Sequence, residues 1–528
     1  MKKITGILLS LTIVASASAT THTNKTFLMP RDHNANLAME MTTWHKQIRK
    51  IDEDQFKTLI QAVPFYQSSA SDGDLGKYFG VTNRRSNGRL DDYIYVSNSA
   101  SDRHLYTHDI LMDCNTETDA VVAASNTFIQ KIIFQPYQNS YGLRLDWHQK
   151  LDKLINGLYF EVNMPVVHVK HSMGYTNVYS TTQNLVSAST PITFNGTAIS
   201  LEDYLTGNVV NDSTATTSHH QAALTHYKIH NGQSQTGIAD LNLVLGYNFL
   251  YQEDNHIGIN VIFTIPTGNT PDGEYRWEPV VGNGGHFAFG LGFDSAFEIW
   301  KSNNKSLDLS IAMNYKYLFE STEKRTVDFK YSNTTDFTNQ NTRVFWGPYV
   351  LGGSRGDTTA TPLANFLTQD LEITPGSQLD AMLMLSFNCG NWTFDLGYEL
   401  YAKEEESLEL KHTWSTGTYG IASWYWDTND AFMDGSTATN ETIYRGYSAT
   451  TYSSGYDLTQ VTIEQAHLLH GDAATPSQLT QKIFGSVGYA FNKWKYPLML
   501  GLGGSYEFTS ENSALELWAL WFKLGIDF

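Results

Sequence analysis

Apolar and polar residues alternate with a period of two in many segments of the chain, and the last fourteen residues show this best. One face of that stretch carries Trp518, Leu520, Phe522, Leu524, Ile526 and Phe528. Successive side chains of a β-strand point to opposite faces, so this strand has one apolar face along its whole length. Such a face needs a cover, and in a membrane the lipid supplies it.

The alternation recurs in about a dozen segments of membrane-crossing length. The segments are 128–134, 143–147, 158–164, 241–249, 257–265, 287–299, 307–319, 379–387, 391–402, 483–491, 498–508 and 515–528. The links between them are mostly short and long in turn, as in outer-membrane barrels with short periplasmic turns and long external loops. We therefore predict an all-β fold, a transmembrane antiparallel β-barrel of about 12 strands (range about 10 to 14). Long loops that face water are expected near 169–236, 321–376 and 403–480.

The first nineteen residues have the features of a secretory signal peptide. Lys2 and Lys3 precede an apolar run, and Ala17-Ser18-Ala19 matches the small-residue cleavage pattern. Export together with amphipathic strands predicts the outer membrane of a Gram-negative-type envelope. The terminal strand resembles the closing strand of such barrels, and that resemblance implies that the insertion machinery reads its terminal aromatic, Phe528.

Residues 20–125 differ from the barrel region, 126–528. Leu37, Met41 and Trp44 begin a series at helical spacing, so a helix is predicted over 34–51, with a continuation through Phe56 to Val63. A barrel of this size encloses more space than its own side chains fill. The segment is expected to be a plug in the lumen, a lid or a small periplasmic domain.

Charge and motifs exclude several classes of function. The net charge of −19 argues against a nucleic-acid partner. His219-His220 lacks metal-ligand spacing, and no nucleophile or phosphate-loop motif stands out, so neither a metal, a cofactor nor an enzyme activity is predicted. Cys114 and Cys389 could form a disulfide in an oxidising compartment, although sequence cannot supply the geometry.

The polar faces of the strands supply candidates for the lumen. The charged positions considered best for lining a pore are Asp308, Lys316, Asp395, Glu399, Arg144, Asp146, Asp294 and Glu298. One interpretation is a hydrated pore whose acidic excess favours cations. The other is a set of salt bridges that hold the barrel wall or the plug.

One region resembles a known family. Gly237-Ile238-Ala239-Asp240-Leu241, Gly246-Tyr247-Asn248-Phe249 and Ile265-Pro266-Thr267-Gly268 resemble outer-membrane proteins grouped with the phenol-degradation MetA pathway and, more distantly, the long-chain fatty-acid transporters. The resemblance implies a monomeric barrel, often plugged, that passes small or hydrophobic molecules. We therefore expect a porin or channel for small solutes in contact with outer-membrane lipid and lipopolysaccharide. The alternatives are a hydrophobic-solute transporter and a surface adhesion or structural barrel.

Overall fold

Twelve strands form one closed antiparallel barrel in the computed structural model. The structure describes residues 25–43, 57–70, 75–79, 93–97, 129–178, 192–194, 197–199, 201–208, 220–252, 255–329, 346–354, 359–415, 417–421, 463–509 and 514–528. The strands are β1 (Thr58–Ser69), β2 (Tyr137–Lys150), β3 (Leu158–Ser172), β4 (Asn231–Ile238 and Leu241–Tyr251), β5 (Asn255–Ile265), β6 (Ala288–Ser302), β7 (Lys305–Leu318), β8 (Gly376–Cys389), β9 (Trp392–Lys403), β10 (Gln478–Phe491), β11 (Leu498–Thr509) and β12 (Leu517–Asp527). Each strand pairs with its neighbours in sequence, and β1 closes the ring by pairing with both β12 and β2. The predicted fold class and strand number are confirmed.

The alternation of side chains separates an apolar exterior from a polar interior. On β9, Trp392, Phe394 and Leu396 are exposed on the outside, and Leu396 is 64 % exposed. Asp395 and Glu399 face inward on the same strand, and Glu399 is fully buried. This arrangement suits a wall with lipid on one side and an enclosed polar lumen on the other.

The first barrel strand lies where the sequence predicted a helix. Residues 58–69 form β1, whereas Ile129–Ile133, taken as strand one, pairs with Tyr93–Ser97 and Thr176–Val178 in a separate sheet. On β1, Val63 and Phe65 face the lumen and are apolar like the outward residues. They belong to a buried core that also contains the N-terminal helix Leu37–Met41. A strand that is apolar on both faces shows no alternation, so it escaped detection.

Residues 25–43, here called the plug, run along the inside of the barrel. At the outer end, the Thr26 backbone N–H donates to the Asp472 carbonyl. Near the short turns, the Thr43 backbone N–H donates to Asp395 Oδ2 at 2.7 Å. The predicted helix is present as α1 (Leu37–Met41), capped by the Asn36 side chain, and residues 44–56 lie outside the described part of the chain.

The long loops pack together above the barrel and form what we call the cap. Its buried core includes Phe79, Phe134, Tyr204, Tyr227, Trp277, Trp346, Tyr349 and Leu363. Its short helices are α2 (Gly76–Phe79), α3 (Leu201–Leu205), α4 (Ala364–Leu367) and the 3₁₀ turns Gly347–Tyr349, Gln465–His467 and His470–Asp472. Part of these loops is therefore buried instead of facing water, because scattered aromatics without periodicity still build a core.

The remaining short strands extend the cap. They are Ile192–Phe194, Thr197–Ile199, His220–Gln221, Ser321–Thr326, Asp328–Phe329, Leu351–Ser354, Thr359–Pro362, Thr368–Thr374, Ser407–Leu410, Tyr419–Ile421 and Leu468–Leu469. Ser321–Thr326 pairs with Thr368–Thr374 and so carries β7 and β8 beyond the barrel rim. None of the helices in the described ranges has the length and apolar character needed to cross a bilayer.

Candidate functional site

One buried arginine holds the plug to the wall formed by β8 to β11. Arg31 contacts Asp380 Oδ2 at 3.1 Å and Glu507 Oε1 at 3.0 Å, and it also pairs with Glu399. Lys482 Nζ lies 2.9 Å from Glu399 Oε1 and 3.5 Å from Glu507 Oε2. We call these five side chains the clasp. Two cations among three buried carboxylates give charge-assisted bonds that join the plug to three strands.

Further contacts fix the plug to the same side of the barrel. The Ala38 backbone N–H, in the first turn of α1, donates a hydrogen bond to Glu399 Oε2 at 2.8 Å. Lys523 Nζ on β12 donates to the carbonyls of Glu40 and Thr42 at 2.9 and 2.6 Å. The plug is therefore held along β8 to β12. On the opposite side it is joined to the wall at separate points, by Glu40 to Arg144 on β2 and by Asn34 to β4, and space remains between these contacts.

That space is a cavity between the plug and strands β2 to β7, and its water-accessible volume is about 80 Å³. Its polar lining includes Asn34, Glu40, Gln61, Asp146, His148, Tyr159, Glu161, Asn163, Asn242, Asn248, His256, Asn260, Asp294, Asn314, Lys316 and Asp380. Leu37, Val244 and Ile262 supply apolar patches. Half of the residues that line the cavity carry an amide or a carboxylate group, whereas small-molecule sites are lined mostly by apolar side chains.

Two histidine–carboxylate pairs face this cavity from the wall. His148 Nδ1 lies 2.5 Å from Glu161 Oε1, and His256 Nε2 pairs with Asp294. The Tyr159 ring stacks on His148, and its hydroxyl lies 3.5 Å from Asp294 Oδ1. Gly246 makes room for this ring, because a Cβ there would overlap the Tyr159 side chain.

The barrel wall is interrupted beside the cavity, at Ala239 and Asp240 in β4. Asp240 has a left-handed backbone with φ of 62°. The plug supplies a hydrogen-bond donor to the backbone here, since Asn34 Nδ2 donates to the carbonyls of Ala239 and Asp240 at 2.7 and 2.8 Å. Plug and wall therefore meet at the interruption.

The eight candidates from the sequence fall into three groups. Asp146, Asp294 and Lys316 line the cavity, and Arg144 bonds Asp146 Oδ1 from beside it. Asp395 and Glu399 bind the plug. Near the short turns, Asp308 Oδ2 accepts from Asn388 Nδ2 at 2.8 Å and Glu298 pairs with Lys301 at 3.1 Å. The structure shows ion pairs to the plug and to the wall, whereas the role of the cavity-lining group in a hydrated pore stays a prediction.

The sequence analysis missed the neutral polar half of the lining. Asn163, Asn242, Asn260 and Asn314 occupy lumen-facing positions by the same alternation that selected the charged residues. Extending that rule to amides would have found them. The partner residue Arg31 had no such signal, because its contacts lie several hundred positions away in sequence.

The predictions of a disulfide and of a signal peptide concern residues outside the described part of the chain, so the structure does not test them. Cys389 ends β8 beside a tight turn, while Cys114 lies outside the described residues, so their bridge stays a prediction. Within the described ranges, no three His, Cys, Asp or Glu side chains are grouped to hold a metal ion. The signal peptide, residues 1–19, is likewise outside the described part.

The loop over 266–287 contains a carboxyl group whose titration can be tested. Burial raises the pKa of Glu278 to about 8, although backbone N–H groups of Asp272 and Gly273 donate to it and oppose the shift. The folded loop then keeps a proton that the unfolded chain loses near pH 4.3, so the loop loses stability as pH rises from about 4.3 to 8. Hydrogen exchange of 266–287 is expected to quicken more in wild type than in Glu278→Gln between pH 6 and about 9. An identical pH response in both proteins would contradict this.

Comparison with known proteins gives weak likenesses. No protein-family model matches the chain, and no curated protein matches it in sequence. Among solved structures, an outer-membrane channel from Pseudomonas putida F1 has a TM-score of 0.35 at 11% identity, covering 90% of this chain and 98% of that one. The Ralstonia pickettii toluene transporter TbuX has a TM-score of 0.26 at 8% identity, with 90% and 89% covered. A Pseudomonas aeruginosa FadL homologue has a TM-score of 0.27 at 6% identity, with 90% of each chain covered.

These solved structures are outer-membrane channels and transporters, the classes that the sequence resemblance indicated. Because their TM-scores are low, the fold and the function of this chain rest on its own residues.

Proposed function

We propose that this chain is an outer-membrane channel for small solutes. The observation that carries the proposal is the polar cavity along β2 to β7, which the plug leaves unfilled while the clasp holds it to β8 to β11. The apolar exterior faces lipid, and the polar interior offers a route whose selectivity depends on its width, charge and occlusion. The function needs no chemical step by the chain.

The surroundings of the barrel belong to the same proposal. The exposed apolar belt contacts the outer-membrane lipid, and the cap reaches the lipopolysaccharide layer. β12 ends beside the exposed Phe528 and is the strand that the barrel-insertion machinery engages.

A hydrophobic-solute transporter is the second candidate. It is favoured by the interruption of β4 at Ala239 and Asp240, where the ladder between strands breaks. Against this candidate, half of the residues that line the cavity beside the break carry an amide or a carboxylate group.

Planar-bilayer recordings of the purified full chain test the proposal. We expect single-channel steps with a preference for cations, because the lining contains more carboxylates than amines. Silence from wild type, and also from a variant whose clasp is broken, would overturn the channel. Tight binding of a fatty acid by a silent protein would favour the second candidate.

A further inference from the structure

The short turn between β10 and β11 carries exposed positive charge. Residues 492–497 have the sequence Asn-Lys-Trp-Lys-Tyr-Pro, which includes no acidic residue. Lys493 and Lys495 are both exposed, and Trp494 between them is 58 % exposed. The turn therefore offers a partner two amines, one on each side of an indole ring.

The other short turns of the barrel have the same sign of exposed charge in their described residues. Lys153 between β2 and β3 is exposed, as are Lys301 and Lys305 beside the β6–β7 turn. Asp152 and Asp527 lie at the same end of the barrel and are buried. The acidic residues 253 and 254, between β4 and β5, lie outside the described part. In the described turns the exposed charge is therefore positive, although the whole chain has a net charge of −19.

Contacts with neighbouring strands hold the β10–β11 turn in place. The Asp527 backbone N–H donates to the Pro497 carbonyl at 3.0 Å, which joins the turn to the end of β12. The Tyr496 ring meets the Phe528 ring edge-on with centroids 6.5 Å apart, and Lys495 Nζ lies 5.2 Å from the Tyr496 ring centroid. The two lysines thus belong to a turn of defined shape, which reduces the entropy lost when a ligand binds.

A row of aromatic side chains leads from this turn along the outside of the barrel. Trp494 stacks on Phe491 with ring centroids 5.2 Å apart, and Phe491 contacts Tyr489 at 4.8 Å. Trp392 on β9 lies 4.9 Å from Tyr489 and 6.2 Å from Phe394. We call these five rings the aromatic strip. It gives the outer wall a continuous apolar surface that begins at the two lysines.

The lysines and the aromatic strip suit the border between acyl chains and headgroups. Short turns of outer-membrane barrels face the periplasm. Aromatic side chains gather where the apolar belt meets water, and lysines there extend their amines toward the headgroups. The periplasmic leaflet consists of phospholipids, so its phosphate groups lie at the level of this turn.

We propose that the β10–β11 turn and the aromatic strip bind an anionic phospholipid of the periplasmic leaflet. Its phosphate lies between Lys493 and Lys495, whose amines donate to the phosphate oxygens. One acyl chain lies against the aromatic strip. A zwitterionic phospholipid has the same phosphate, but its own ammonium group offsets the charge that attracts the lysines, so a net negative headgroup binds more tightly. This inference goes beyond the proposed function and requires no conduction.

Native mass spectrometry of the full chain in a neutral detergent tests the inference. The probes are dioleoylphosphatidylglycerol and dioleoylphosphatidylcholine, which have identical acyl chains and differ in net headgroup charge. Because each lysine near the surface favours an anionic lipid by about fivefold, the first phosphatidylglycerol is expected to bind at least about tenfold more tightly than phosphatidylcholine. Equal affinities would mean that the surface makes only unselective lipid contact, and they would overturn the inference.

Two double variants locate the site. Lys493→Gln with Lys495→Gln is expected to lower the phosphatidylglycerol affinity by about tenfold and to leave the phosphatidylcholine affinity unchanged. The matched control, Lys324→Gln with Lys411→Gln, removes two exposed lysines from the cap and is expected to change neither affinity. Equal losses in the two double variants would assign the preference to net charge and overturn the site. A preference that survives the first double variant would overturn it too.

Trp494→Ala tests the aromatic strip separately. The indole contacts the acyl chain, which both probes share, so both affinities are expected to fall by a similar factor while their ratio stays the same. Unchanged affinities for both probes would overturn the placement of the acyl chain. The comparison of the two probes on wild type needs no variant, so it stands even if a variant does not fold.

Discussion

Replacing Arg31 with methionine is expected to release the plug and to raise single-channel conductance severalfold in planar bilayers. The substitution leaves Asp380, Glu399 and Glu507 buried with Lys482 as the remaining cation of the clasp. Removing one partner of a buried ion pair costs about 3–5 kcal/mol, because the other partner loses its compensation. Water that enters the clasp would then solvate the three carboxylates and stabilise them, so we expect the plug to move away from β8 to β11.

Arg31→Lys is the matched control for this prediction. Lysine restores the charge but lacks the planar fork that contacts three carboxylates, so its conductance should lie between wild type and Arg31→Met. Protease access to residues 25–43 should follow the same order. If Arg31→Met conducts like wild type and protects its plug equally well, the remaining contacts suffice and the clasp has no gating role.

The barrel was predictable from sequence because its exterior and its lumen impose opposite demands on adjacent residues. On β9, Leu396 faces lipid and Asp395 faces the lumen, so apolar and polar residues alternate along the strand. β1 was not predictable by this rule, since Val63 and Phe65 face an apolar plug helix instead of water. The five-residue strand Ile129–Ile133 showed alternation for a different reason, as Ile132 is buried in the cap.

The site was predictable only in part. Alternation placed Asp146 and Asp294 on the inner wall, and the structure finds them lining the cavity. It could not say that Glu399 binds the plug while Asp294 lines the cavity and pairs with His256, because both occupy equivalent lumen positions. That difference depends on the path of residues 25–43, whose contacts form over long sequence separations and leave no local pattern.

Tryptophan at position 312 is expected to reduce conductance more than any other single change on the inner wall. Ala312 on β7 is 3 % exposed, lines the cavity next to β8 and belongs to the core that contains the plug helix. An indole there would project into the space beside the plug, and conduction depends on the width of that space. The measurement is single-channel conductance, checked with the exclusion size of neutral sugars in liposome-swelling assays.

Ile311→Trp supplies the control, because it places the same side chain one residue away on the opposite face. Ile311 is exposed toward lipid, where an aromatic ring is well accommodated. Its conductance should equal that of wild type, whereas Ala312→Trp should fall well below. Equal conductance in all three proteins would place the solute path elsewhere, and a low conductance in both variants would indicate a general disturbance of β7. A selective loss at 312, combined with a gain in Arg31→Met, would mean that solutes pass along β2 to β7 while the plug is held on the other side.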